Sequence, residues 1–206
     1  MGAPDATQVL RPASALQTFL STHPAPPDSP HLSDHHNLSL QIAHNLHYQH
    51  LWTHIYLHTT SPSTSSPLPR PIISGLPPQR LYVHPDEQIA LLQAQKDQGK
   101  SGMPELARER EWVLPSHLRE QWSLRRLGEV FDRISASVPM PSKNSGQAQL
   151  LFGELAGDNA KEESEEGAVN EWREKSPKRV LLATLDDDST VVYYIVHDGI
   201  VKPRQN

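Results

Sequence analysis

With 206 residues, 19 prolines, 6 % aromatic residues and no cysteine, the chain has material for one modest core of about 110–130 ordered residues. It excludes disulfides and cysteine-based zinc sites and fits a reducing compartment. The formal net charge of −5 provides no global basic field, so any contact with RNA needs a local patch or a partner's surface.

Residues 1–32 are rich in Pro, Ala, Ser and Thr and read as a low-complexity, disordered segment without the basic region and apolar core of a secretory leader. One short helix is allowed over Ser14–Leu20, with Leu16, Phe19 and Leu20 on one face. Residues 33–206 read as a single domain. Ser33 or Asp34 can cap a helix over His35–Tyr48, where Leu38, Ile42 and Leu46 recur at a spacing of four. The period then changes to two: Leu51, Thr53, Ile55 and Leu57 alternate with Trp52, His54, Tyr56 and His58, a strand pattern. After a Ser/Thr/Pro loop, Arg70–Gly75 and Arg80–Val83 read as short strands. A helix from Asp86 to Gln98 follows, with Ile89 and Leu92 pointing inward.

Trp112–Leu114 reads as a strand stopped by Pro115. His117–Ile134 is amphipathic, as one helix or as two with Ser123 capping the second. Its apolar face includes Leu118, Trp122, Leu127 and Phe131, and Arg119, Arg125, Arg126 and Arg133 make a basic one. Residues 139–177 form an acidic insertion expected to be disordered, with a transient helix allowed near Gln147–Leu155. The chain ends in two apolar runs, Val180–Leu185 and Val191–Val196, joined by Asp186-Asp187-Asp188-Ser189-Thr190. Both read as strands of an antiparallel hairpin, buried on one face against the domain's own helices and on the other against another layer or another protein. Three adjacent aspartates must face water or a basic partner. The element order indicates an α/β fold with a mixed sheet flanked by helices.

Chemistry is sparse. Eight of the twelve histidines lie between His31 and His58, but the segment passes from helix to strand. His54 and His58 are about 13 Å apart by strand rise, too far to share a metal. Tyr82, His84, His117 and Lys178 are the residue types of acid–base ribonuclease chemistry, yet no spacing brings them together. No metal, cofactor or catalytic set is expected. The four arginines are candidate phosphate contacts or simply the polar side of a helix.

The C-terminal KRVLLATLDDDSTVVYYIVHDGIVKP resembles the end of the small structural subunit of the eukaryotic tRNA-splicing endonuclease, where an apolar strand, an acidic Asp-Ser-Thr turn, Val-Tyr-Tyr and Asp-Gly follow in this order. The segments LWTH, PIISGLPPQRLYVHPDEQIALL and EWVLPSHLREQWSLRRLGEVFDRI look like the same domain in a fungal version, covering about residues 33–138 and 178–206. The resemblance implies a fold like the C-terminal domain of tRNA intron endonucleases, of restriction-endonuclease type. It implies a heterotetramer of two cutting and two structural subunits. Lys178 sits near the place of the catalytic subunits' lysine, but their tyrosine and histidine contexts are absent here, so a non-catalytic role is implied.

It further implies pairing with a catalytic subunit through Val191, Val192, Tyr193, Tyr194, Ile195 and Val196. Asp186, Asp187 and Asp188 would dock into a basic groove of the other dimer, and pre-tRNA would be met through the complex. The expected location is the nucleus, or alternatively the cytosolic face of mitochondria. Two other functions stay open on the residues alone: an active metal-independent ribonuclease using Lys178 with a Tyr and a His, and an interaction module unrelated to RNA.

Overall fold

The computed structural model describes residues 12–27, 29, 31–140, 148–153 and 170–201. Readings placed on 1–11, on 141–147 and on 154–169, including the KEESEEG run, lie outside the described residues. In chain order the elements are α1 (Ala15–Thr22), α2 (Ser33–His50), β1 (Thr53–Thr60), β2 (Pro67–Leu76), α3 (Pro85–Asp97), β3 (Glu111–His117), α4 (Leu124–Phe131), β4 (Ala148–Phe152), α5 (Glu171–Lys175), β5 (Arg179–Leu185) and β6 (Val191–His197).

The strands form one open mixed sheet in the order β4-β1-β2-β3-β5-β6. Only β3 and β5 run parallel; the other neighbours are antiparallel. The central strands are apolar at consecutive positions because both faces are covered. Ile73, Val113, Leu181 and Ala183 meet Leu40, Ile42, Ala43 and Leu46 of α2. On the opposite face Ile72, Trp112, Leu114 and Val180 meet Val130 and Phe131 of α4 and Ile134. The period-two change of side at 72/73, 112/113/114 and 180/181 is the pleat expressed as two cores.

Several local expectations are corrected. The cap of α2 is Leu32, with no side-chain bond, rather than Ser33 or Asp34. Arg80–Val83 is not a strand. Ile89 and Leu92 of α3 are 64 % and 41 % exposed rather than inward, because that helix is held through buried Glu87, which pairs with Arg80. Strand β3 continues through Pro115 to His117. Its register with β2 ends at Val113, so the missing N–H leaves no gap on that side. The helix after β3 is the short α4, capped by the Ser123 hydroxyl on the Arg126 N–H, and residues 118–123 precede it as non-helical chain.

The allowed helix at Gln147–Leu155 is instead strand β4, whose Leu150 and Phe152 pair with Tyr56 and Ile55 of β1. Within the proline-rich N-terminal segment, Ser14 and Gln17 make a capping box that starts α1. Phe19 of that helix stacks on Phe152 at 4.9 Å, and the Phe152 ring lies 4.2 Å from that of His47. One end of the insertion and the helix of the N-terminal segment therefore meet on α2.

Candidate functional site: the last strand and its acidic turn

Strand β6 is the edge of the sheet, hydrogen-bonded to β5 from Val191↔Leu185 to His197↔Arg179 and to no further strand among the described residues. An edge strand presents a row of N–H and C=O groups that can pair with another chain. Its two faces differ. Val191 and Tyr193 pack toward the α2 core, and the Tyr193 hydroxyl donates to Asn45 Oδ1 at 2.6 Å. Burial pushes the Tyr193 phenol above its ordinary pKa. His50 meets the same ring edge-on at 5.1 Å. On the other face Val196 packs on the α4 core, while Val192 and Tyr194 are 44 % and 56 % exposed. Ile195, on the α2 side, is 40 % exposed. Strand β5 is thus covered on both faces by the chain itself, whereas the outer half of β6 lacks a cover within the described chain, which leaves that face to the other protein the expectation allowed.

The β5–β6 turn is built by its own aspartates. Asp186 N–H donates to Thr190 O at 2.9 Å, and Ser189, with φ of 70°, donates to Asp186 O at 3.0 Å. Asp188 Oδ1 accepts the Thr190 N–H at 2.8 Å, a bond that lowers the Asp188 pKa. Asp187 reaches across to Arg119, which donates to its Oδ2, and lies 3.1 Å from His117 Nε2. The turn thus stands against the chain that follows β3, over a groove lined by Asp34, His35, His117 and Arg119.

The four arginines do not share one helix face. Arg119 precedes α4 and pairs with Asp187. Arg125 pairs with Glu129 one turn on. Arg126 donates to Glu120 Oε1 at 2.6 Å and lies 4.8 Å from the centre of the Trp122 ring. Arg133, beyond the end of α4, donates to Ser66 Oγ and to Pro67 O.

The residue types of acid–base chemistry are committed elsewhere. Lys178 Nζ donates to Phe131 O at 2.7 Å, satisfying a carbonyl at the end of α4. His84 caps α3 through the Asp86 N–H. Tyr82 packs between His197 and the Arg179 guanidinium, at 5.0 and 5.1 Å. His117 faces Asp187. Among the described residues no three His, Asp or Glu side chains gather to hold a metal, and no helix is long and apolar enough to cross a membrane.

One feature escaped sequence reasoning. Glu109 and Glu111 hold a buried ionic cluster at the opening of β3: Arg179 Nη2 lies 2.6 Å from Glu109 Oε2, Arg173 Nη1 lies 2.9 Å from Glu111 Oε2, and Arg80 Nε lies 3.4 Å from Glu109 Oε2. Burial acts to raise the Glu109 pKa, but Arg173, Arg179 and Arg80 outweigh it and hold the carboxyl lowered. The charges arrive from three stretches, at residue 80, residues 109–111 and residues 173–179. The available signal was the alternation of Arg108-Glu109-Arg110-Glu111 running directly into an apolar strand.

A family model described as "Sen15 protein" matches residues 41–160 and 160–206. The probable tRNA-splicing endonuclease subunit tsp-1 of Neurospora crassa is 44 % identical over 172 residues, 82 % of this chain and 66 % of that protein. The probable tRNA-splicing endonuclease subunit sen15 of Schizosaccharomyces pombe is 31 % identical over 110 residues, 52 % of this chain and 59 % of that protein. The chain thus spans somewhat less than two thirds of the length of either relative. Because the model's match runs from residue 41 through the β5–β6 hairpin to residue 206, the chain belongs to the Sen15 protein family.

Proposed function

We propose that this chain is a non-catalytic structural subunit of a tRNA-splicing endonuclease, pairing with a catalytic subunit along β6. The carrying observation is the β6 edge, which pairs with no second strand among the described residues, with Val192, Tyr194 and Ile195 exposed at the same strand. Pairing there would satisfy the edge N–H and C=O groups and bury those side chains together. The relatives' names supply the complex. The fold type of tRNA intron endonucleases, the heterotetramer and the nuclear location, or the mitochondrial surface as its alternative, belong to the same proposal. So does docking of Asp186–Asp188 on the second pair of subunits, with pre-tRNA reached through the complex. Arg119, Arg125, Arg126 and Arg133 are the proposed RNA contacts, and Arg125 is the most open of them, its side chain 89 % exposed.

The non-catalytic reading rests on chemistry. Lys178, Tyr82, His84 and His117 each have a structural partner, and no described trio of acid, base and cation faces one space. The test is co-expression of the full chain with a catalytic subunit of the endonuclease, followed by co-purification and cleavage of intron-containing pre-tRNA. The expected result is a stable pair, with no cleavage by this chain alone. Cleavage by the isolated chain, or failure to co-purify with any catalytic subunit, overturns the proposal.

A further inference from the structure

Arg133 differs from the other three arginines in its partners. Arg119, Arg125 and Arg126 each pair with a carboxylate. Among the described residues no carboxylate pairs with Arg133. Its Nη1 donates instead to two neutral oxygens, Ser66 Oγ at 2.9 Å and Pro67 O at 2.8 Å. A half-buried guanidinium held by neutral oxygens is a charge already in place for an anion. The hydroxyl it touches opens a Ser-Pro step, Ser66-Pro67, at the end of the β1–β2 loop Ser61-Pro62-Ser63-Thr64-Ser65-Ser66. Residues Ser63, Thr64, Ser65 and Pro67 are exposed and Ser66 is half-exposed, so the step is within reach of another protein.

We propose that Ser66 is a phosphorylation site for a proline-directed serine/threonine kinase, and that Arg133 receives the phosphate. Three other Ser-Pro steps show why this one is singled out. The Ser29 hydroxyl oxygen accepts the His31 N–H at 3.2 Å. Ser61 is fully buried and donates its hydroxyl to Arg133 O at 2.7 Å. Ser176 donates its hydroxyl to Trp172 O at 2.6 Å at the end of the short α5. At none of the three does a guanidinium donate to the hydroxyl oxygen among the described residues.

In the transfer, Ser66 Oγ forms a bond to the γ-phosphorus of ATP and the bond to the β-phosphate oxygen breaks. ADP leaves, and the hydroxyl proton passes to the kinase's general base. The product carries a charge of about −1.5 to −2 at neutral pH and three acceptor oxygens, which the Arg133 fork can hold by two parallel bonds. Ser61 already ties this loop to the backbone of Arg133. The phosphate would add an ionic clamp between the same two segments, fixing the β1–β2 loop against the end of α4. This inference is independent of the role proposed above.

The experiment treats the purified full chain with a proline-directed kinase and ATP, maps phosphate by peptide mass spectrometry, and compares melting temperatures before and after. Ser66→Ala serves as the site control, and Arg133→Gln and Arg133→Lys report the receiving charge. The expected result is phosphate on Ser66, absent in Ser66→Ala, with a rise in melting temperature of roughly 2–4 °C. Arg133→Gln should abolish that rise and Arg133→Lys should retain part of it. The proposal is overturned if no phosphate enters at Ser66, if the modified chain melts at the same or a lower temperature, or if the rise persists in Arg133→Gln.

Discussion

The Tyr193 hydroxyl donates to Asn45 Oδ1 at 2.6 Å, and this one bond from β6 to α2 marks the inner side of the last strand. Val192 and Tyr194 therefore lie on a side that the described chain leaves open. A charge on each side should fail differently. Tyr193→Asp should unfold the chain, since a buried unpaired charge costs several kcal/mol. Tyr193→Phe should cost only about 1 kcal/mol, the bond itself. Val192→Asp should leave a folded chain that no longer co-purifies with a catalytic subunit. Circular dichroism and co-purification read the two effects separately; equal unfolding by Val192→Asp and Tyr193→Asp would contradict this division of faces.

The insertion holds a strand that matters to the fold. Phe152 of β4 pairs opposite Ile55 and stacks on both Phe19 and His47. Phe152→Ala should destabilise by about 2 kcal/mol, less than a fully buried phenylalanine because the site is partly open. Removing residues 146–171 deletes β4 entirely and should lower the melting temperature by several degrees. An unchanged denaturation midpoint in both variants would show that β4 adds nothing to stability.

Glu111, 3 % exposed, is shared by Arg173 and Arg179 at the start of the central strands. Glu111→Gln leaves two buried guanidinium groups with less compensating charge and should cost about 3–5 kcal/mol. Urea titration measures it. A loss under 1 kcal/mol would mean that Glu109 alone neutralises the cluster.

His58 is buried with its Nε2 2.8 Å from Ser74 Oγ, and burial, with Arg110 second, lowers its pKa from 6.5 to about 3. The unfolded chain takes up a proton at His58 below about pH 6.5, whereas the folded chain does so only near pH 3. Stability is therefore fully present above pH 6.5 and falls as the pH drops toward 3, by about 2 kcal/mol at pH 5 from this residue. His35, His44 and His197, also lowered by burial, act in the same direction. Comparing the wild-type chain with His58→Gln isolates the His58 share. The variant's loss between pH 7.5 and 5 should be smaller by about 2 kcal/mol, and identical slopes would show that His58 gains a proton in the fold.

Lys178→Ala removes the bond from Nζ to Phe131 O and should cost about 1 kcal/mol of stability. Pre-tRNA cleavage by the assembled endonuclease should stay within a few-fold of wild type. A loss of three orders of magnitude with assembly intact would make Lys178 catalytic.

The helix α2, the alternation of β1, the Ser123 cap and the C-terminal hairpin were legible in the sequence. Each is written in local spacing: a repeat of four, a repeat of two, a hydroxyl three residues before the N–H it accepts, and two apolar runs around a five-residue polar link. The family was legible for the same reason, since its motif is one continuous stretch, Lys178 to Pro203. What needed the tertiary structure was set by partners distant in sequence. Ala148–Phe152 becomes a strand because β1 offers an edge, and Ile89 points outward because Glu87 of the same helix is held by Arg80. Arg119 leaves the basic face to meet Asp187, 68 residues on. Glu109 and Glu111 form a buried cluster only because the fold brings Arg80, Arg173 and Arg179 around them. Apolar patterning says which side chains leave water, but charge pairing depends on which segments the sheet order brings together. That order, with β3 beside β5 and β6 at the edge, is decided only when the whole sheet closes on its two cores.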